Sequence, residues 1–166
     1  MNPPRITVHA TSVFLGPACA PFGAPVNGAV LLLGDSGSGK SDVALRLIGM
    51  GARIIADDRT ELFEESGRLF AQPAQKQSGH IEIRGVGIVK MPVAGAATVV
   101  LCVRLMGSEP PRLPEPQHYI PDGLSPSAPP PLLQLNGWSP STPVKIAAAA
   151  VAIDTGSLLP ADGSFL

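Results

Sequence analysis

Several features that would assign this chain to a special class are missing. Only two of its 166 residues are cysteine, Cys19 and Cys102, and they lack the spacing of a metal site. Cys102 sits inside an apolar run and reads as a reduced core thiol, which fits a cytoplasmic setting. Neither sign of charge dominates: 12 basic side chains face 13 acidic ones. That balance argues against a nucleic-acid surface and against a polybasic membrane patch. No apolar run approaches the ~18 residues of a membrane span. The first residues, Met1-Asn2-Pro3-Pro4-Arg5, lack the apolar stretch of a signal peptide. Internal repeats are absent too, so the expectation is one soluble domain over residues 1–166, without nucleic-acid or membrane partners.

What is present begins with Gly34-Asp35-Ser36-Gly37-Ser38-Gly39-Lys40-Ser41, a complete G-x-x-x-x-G-K-S string. An apolar run, Ala29 to Leu33, precedes it, and a helix-like run, Ser41 to Ile48, follows. The glycines let backbone N–H groups turn inward around phosphate oxygens, and the helix points its positive end at the same anion. Lys40 then reaches the β- and γ-phosphates, and the Ser41 hydroxyl can ligate Mg²⁺. The expected ligand is a nucleotide.

Around this loop the chain reads as α/β, rich in strand with few helices. Arg5 to Leu15 is β-branched and predicts strand, bent near Ala10. Gly16 to Gly28 is a loop or a hairpin connection. Ala29 to Leu33 predicts a strand buried on both faces, as in a sheet covered by helices. Gly49 and Gly51 stop the first helix. Arg53 to Ala56 predicts the next strand, Thr60 to Phe70 a hairpin turning at Glu65-Ser66-Gly67-Arg68, and Ala71 to His80 a polar, flexible arm. Thr98 to Leu105 is the strongest strand. Eleven prolines between Ser108 and Pro143 disfavour helix there, with one short strand at Leu132 to Leu135. Val144 to Ile153 is alanine-rich and predicts a helix packed on the sheet, followed by a frayed tail.

Three further places carry candidate chemistry. Asp57-Asp58 closes a buried strand, at the end where α/β sheets place their ligands. One carboxylate can hold Mg²⁺, directly or through water, and the other can take a proton from an attacking hydroxyl. His9 lies upstream between Val8 and Ala10. It reads either as a half-buried strand histidine or, if its strand neighbours the phosphate-loop strand, as a group pointing into the site. Ile81-Glu82-Ile83-Arg84-Gly85-Val86-Gly87-Ile88 offers a third carboxylate, an arginine for phosphate, and glycines that would allow close backbone approach. An ordinary strand with a surface ion pair explains that stretch equally well. His80, His118, Tyr119 and Trp138 have no ligand-like spacing and default to structural or surface roles.

The order of these strings resembles the HPr kinase/phosphorylase family: Val8-His9, the Gly34–Ser41 loop, Ala56-Asp57-Asp58, and then Glu-Ile-Arg-Gly-x-Gly-Ile at Glu82–Ile88. The last string makes the likeness specific, and it covers residues 5–105 best. The resemblance implies a catalytic domain similar to the nucleotide-binding core of phosphoenolpyruvate carboxykinase. It implies ATP-dependent phosphorylation of a serine on the phosphocarrier HPr, with phosphorolytic removal as the reverse reaction, and ring-like hexamers. By carry-over, Lys40 contacts phosphate, Ser41 and Glu82 hold Mg²⁺, Asp58 is the base forward and the acid in reverse, and His9 is a further active-site residue.

The chain also departs from that pattern. It reads as a short form without the N-terminal domain, His9-Ala10 replaces the usual His-Gly, and the stretch from His9 to the phosphate loop is longer. The late Pro-Val-Arg-Pro-Gly-Arg-Asn segment is reduced to Pro143-Val144-Lys145, and Arg112 is the nearest counterpart of a late arginine. Two other functional classes compete. One is a small-molecule P-loop kinase, disfavoured because Arg104, Arg112 and Lys145 are the only basic residues of the late region. The other is a nucleotide-dependent regulatory switch.

Overall fold

The computed structural model describes residues 1–74 and 79–159. Its eleven strands are β1 Arg5–Val8, β2 Thr11–Gly16, β3 Val26–Leu33, β4 Arg53–Ala56, β5 Thr60–Glu65, β6 Arg68–Pro73, β7 His80–Ile83, β8 Gly87–Lys90, β9 Ala97–Met106, β10 Gln117–His118 and β11 Pro131–Asn136. The two α-helices are α1 Lys40–Gly49 and α2 Thr142–Asp154. The connection from β2 to β3 holds a short 3₁₀ helix at Pro17–Phe22. Of the arm expected at Ala71–His80, residues 75–78 lie outside the described residues; the flanking strands run to Pro73 and resume at His80. Residues 160–166 of the expected tail also lie outside them. Among the described residues no helix is long and apolar enough to cross a membrane.

Nine strands form one mixed sheet in the order β1-β5-β6-β9-β3-β2-β4, with β11 beside β9 and β10 beside β11. β9 is the spine. One of its edges pairs β3 in parallel; the other pairs β6 at Ala97 and Thr98, then β11 in parallel from Cys102 to Met106. The carboxyl ends of β3, β9 and β11 therefore meet at one side of the sheet, the side where α/β folds bind ligands. β4 is antiparallel to β2, which is antiparallel to β3, so Asp57 emerges at that side too.

Strand alternation sends β3 into two cores. Val30 and Leu32 face α1 and α2, packing with Val43, Leu47, Ile146 and Ala150. Leu31 and Leu33 point the other way, onto Leu62, Leu69, Cys102 and Leu124. Both α-helices thus lie on one face. The other face is closed by β1, β5, β6 and the proline-rich segment rather than by a second helix layer, which refines the expectation of helix cover. Leu47 is fully buried on α1, and burial of such a side chain contributes ~1.5–3 kcal/mol.

Candidate active site

The phosphate loop connects β3 to α1. Gly39 caps α1 with φ 102°, a left-handed conformation that side-chain-bearing residues seldom adopt. A Cβ on Gly39 would also lie 2.9 Å from the Gly137 carbonyl oxygen. Reciprocally, a Cβ on Gly137 would lie 1.9 Å from the Ser38 carbonyl oxygen. The loop after β11 is thus packed backbone to backbone on the phosphate loop. It is fixed there by Gly137 N–H donating to Met106 O (2.9 Å) and Thr142 Oγ1 donating to Asn136 O (2.5 Å). Trp138 reads from sequence as structural or surface, and Gly137 carries no signal, because a strand in a proline-rich stretch gives no sign of where it pairs.

Lys40 is 6% exposed, and its ammonium donates to the carbonyls of Gly34 (2.7 Å) and Asp35 (3.0 Å). These are the loop's own acceptors, which an anion seated in the loop would replace. The Ser38 hydroxyl is buried without a hydrogen-bond partner among the described residues, and open space lies where Gly37 would carry a Cβ. An orphaned hydroxyl beside an open cradle fits a phosphate-sized anion. Asp42 in the first turn of α1 pairs with Arg46 at 3.1 Å.

His9 reaches the site by a route that spacing does not reveal. It is not on a strand but in the corner between β1 and β2. β1 pairs with β5 and β2 pairs with β4, so this corner faces the corner between β4 and β5, which holds Asp57, Asp58 and Arg59. His9 Nδ1 lies 3.3 Å from Asp58 Oδ1, with both side chains largely solvent-exposed. Asp58 itself has φ 66°, and Arg59 N–H bonds back to Asp57 O at 2.8 Å. A positive φ with an i→i+2 bond marks a tight three-residue turn, a strained arrangement that turns Asp58 out of line with β4.

Asp57 is held differently. Its Oδ1 accepts from Ser41 Oγ at 2.8 Å and from Thr11 Oγ1 at 3.1 Å. The resemblance implies that Ser41 and Glu82 share Mg²⁺; the Ser41 hydroxyl in addition donates to Asp57. The proton of Ser41 is committed to that carboxylate, so the oxygen lone pairs remain available to a cation. Glu82 is exposed on β7 and lines the same cleft as Lys40, Ser41 and Asp58, a hollow of about 740 Å³ that Arg84 and Trp138 also border. Ser41, Asp57 and Glu82 are oxygen donors, the type Mg²⁺ takes. Among the described residues no three His, Cys, Asp or Glu groups converge as a ready-made metal cage.

The Glu82–Ile88 string forms the β7–β8 hairpin, a two-stranded sheet separate from the main one. Gly85 and Gly87 have φ 84° and 125°, and a Cβ on either would meet open space. They shape the turn and border the cleft, where the space beside them stays open to the close backbone approach expected of them. Arg112 is exposed in the proline-rich stretch and does not border the cleft.

A glycine-rich loop between a buried parallel strand and a helix, faced by acidic residues at the carboxyl ends of the strands, defines the phosphate-loop class of α/β proteins. Residues 25–103, just under half of the chain, match the family model of the HPr Serine kinase C-terminal domain. Among curated proteins, the HPr kinase/phosphorylase of Clostridium tetani is 38% identical over 78 residues, which is 47% of this chain and 26% of that protein. That of Streptococcus thermophilus is 46% identical over 72 residues, 42% of this chain and 23% of that protein. The likeness thus spans about a quarter of the length of these relatives. The fold agrees over a longer stretch. The structure of the Hpr(Ser) kinase/phosphatase from Coxiella burnetii superposes with a TM-score of 0.69, covering 91% of this chain and 97% of that one at 21% identity.

Proposed function

We propose that this chain is the catalytic domain of a Mg²⁺- and ATP-dependent protein-serine kinase whose acceptor is an HPr-type phosphocarrier. The observation that carries the reading is the joining of Asp58, turned out of its strand beside His9, to the phosphate loop across one cleft. Binding alone needs the loop; the exposed carboxylate facing it suits a reaction at an acceptor hydroxyl. The family match over residues 25–103 supports the choice of acceptor.

In this reading Lys40 exchanges the Gly34 and Asp35 carbonyls for phosphate oxygens, and the loop amides hold the rest of the anion. Asp58 accepts the proton of the serine hydroxyl as its oxygen bonds to the γ-phosphorus. The bond from that phosphorus to the bridging oxygen breaks, and ADP leaves. His9, against Asp58 Oδ1, orients the carboxylate and can pass its proton to solvent. Ser41 and Glu82 would hold Mg²⁺, with Asp57 behind Ser41, and charge on the phosphates would be neutralised there. In phosphorolysis, an oxygen of hydrogenphosphate bonds to the phosphoserine phosphorus and the bond from that phosphorus to the serine oxygen breaks; Asp58 takes the proton of the attacking hydrogenphosphate and gives it to the leaving serine oxygen, and pyrophosphate is released. The setting is cytoplasmic and the assembly a ring of six copies.

Incubation with ATP, Mg²⁺ and a cognate HPr-type carrier should yield phosphoserine on the carrier. Added inorganic phosphate should then release pyrophosphate. No transfer to a confirmed cognate carrier would defeat the proposal.

A further inference from the structure

We propose that Thr11 is a positioning residue for both carboxylates of the site, and that its hydroxyl holds Asp58 in its strained turn. Thr11 opens β2, two residues after His9, and is fully buried. Its Oγ1 donates to Asp57 Oδ1 at 3.1 Å and accepts the backbone N–H of Asp58 at 3.1 Å. One oxygen therefore links two adjacent acidic residues in different ways, one through its carboxylate and the other through its peptide.

The placement of Thr11 is itself well determined. Its backbone pairs with Leu32 of β3, the strand that leads into the phosphate loop. Next to it, Thr60 Oγ1 donates to Ala10 O at 2.9 Å, so the 2.9 Å contact between Ser12 and Thr60 must have the Ser12 hydroxyl as donor. This thread of fully buried Thr11, Ser12 and Thr60 ties the start of β2 to the start of β5, on either side of the Asp57-Asp58 corner. A turn with positive φ at a non-glycine residue persists only where its surroundings over-determine it. Here they do so through Arg59 N–H on Asp57 O on one side and the Thr11 hydroxyl on the Asp58 amide on the other. Without that hydroxyl the Asp58 amide loses its acceptor, and Asp57 Oδ1 keeps only the Ser41 proton. The carboxylate that faces the acceptor would then lose its fixed direction relative to the phosphate loop, while the loop itself stays intact.

The inference rests on the kinase reading for its catalytic consequence but not for its structural one, and the test separates them. Thr11→Val preserves shape and removes the hydroxyl; Thr11→Ser keeps the hydroxyl. The expected result is a kcat for carrier phosphorylation at least tenfold lower in Thr11→Val, with KM for Mg·ATP within threefold of the parent. Thr11→Ser should stay within threefold on both parameters. Native-state amide hydrogen exchange at Asp58 should accelerate at least tenfold in Thr11→Val and little in Thr11→Ser. If Thr11→Val does not fold, Thr11→Cys, with a weakly bonding thiol in the same place, replaces it. Parent-like turnover and parent-like Asp58 exchange in the valine variant would overturn the proposal. So would a serine variant as slow as the valine one, since packing and not the hydroxyl would then be responsible. A parent protein that transfers nothing to the carrier would sink the kinase reading, and Asp58 exchange alone would then decide whether Thr11 holds the turn.

Discussion

Ser41 and Asp57, 16 residues apart, are joined by a 2.8 Å hydrogen bond in which the hydroxyl donates to the carboxylate. The bond ties the first turn of α1 to the end of β4. It also makes Asp57 the group that sets the orientation of a proposed metal ligand, separating its role from that of Asp58 one residue later.

Asp57→Asn should therefore act on the metal more than on proton transfer. The amide can accept from Ser41 only through its one oxygen, and it withdraws a negative charge from beside the cation. Loss of such an outer partner costs ~10–100-fold in metal affinity. A Mg²⁺ titration of nucleotide binding should shift by about that factor, while the rate at saturating Mg²⁺ falls less. An unshifted titration would remove Asp57 from the metal's surroundings.

Asp58→Asn should do the opposite. The side chain is exposed, faces the cleft and touches His9 Nδ1 at 3.3 Å, so it can receive a proton without supporting the phosphate loop. General-base catalysis is worth ~10²–10⁴-fold, and transfer should fall by that order with nucleotide affinity nearly unchanged. His9→Ala should cost less, about tenfold, since an orienting partner is lost and the base remains. Single-turnover transfer, set beside nucleotide binding by calorimetry, checks both. A near-parental rate in Asp58→Asn would move the base to Asp57.

The contact between Gly137 and Ser38 makes a third prediction. A Cβ on Gly137 would sit 1.9 Å from a carbonyl oxygen of the phosphate loop, and a backbone atom cannot swing aside as a side chain does. Gly137→Ala should destabilise the fold by ~1–3 kcal/mol and also weaken nucleotide binding, because relief comes from moving the loop. Gly95→Ala is the control: its Cβ would meet open space, and its effect should stay within ~0.5 kcal/mol. Urea unfolding measures the first quantity and nucleotide titration the second. Equal stability of the two variants would mean that the loop after β11 yields freely.

How much of this could be read in advance follows from which relationships are local. The phosphate loop, β3 and α1 were legible because glycine spacing, an apolar run and a helical stripe are all features of neighbouring residues. The turn at Ser66-Gly67 was legible for the same reason. That Asp57 and Asp58 point to the loop's side of the sheet followed from their place at the end of a buried strand. The contact of His9 with Asp58 was not legible, since it depends on β1 choosing β5 and β2 choosing β4, pairings between segments about 50 residues apart. Thr11 gave no signal because threonine is common in strands, and only its two partners distinguish it. The proline-rich segment read correctly as lacking helix, yet the parallel pairing of β11 with β9 was hidden, and with it the seat of Gly137. That Gly85 and Gly87 take positive φ in the turn of a separate hairpin was not legible, because glycine serves equally for close approach and for a left-handed turn.

The thiols provide a test of the fold that is independent of any reaction. Burial pushes the Cys102 thiol far above its usual range, at the centre of β9 between the two sheet edges it pairs. Cys19 is raised too, first by burial and then by the negative charge of Asp154. Only the thiolate reacts with disulfide reagents, and a raised pKa keeps the thiolate fraction low well above neutral pH. Cys19 lies in the 3₁₀ turn under α2, whereas Cys102 is reached only by parting β9 from its neighbours. Both should be silent toward an aromatic disulfide at pH 8 in the native protein, and both should react fully in denaturant. At intermediate urea Cys19 should be labelled before Cys102, because local release of the short turn costs less than opening the central sheet. Asp154→Asn should lower the Cys19 pKa in the native state by removing the like charge that repels the thiolate, and so speed its labelling as pH rises without affecting Cys102. Rapid labelling of Cys102 in native buffer would contradict the placement of β9 at the centre of the sheet.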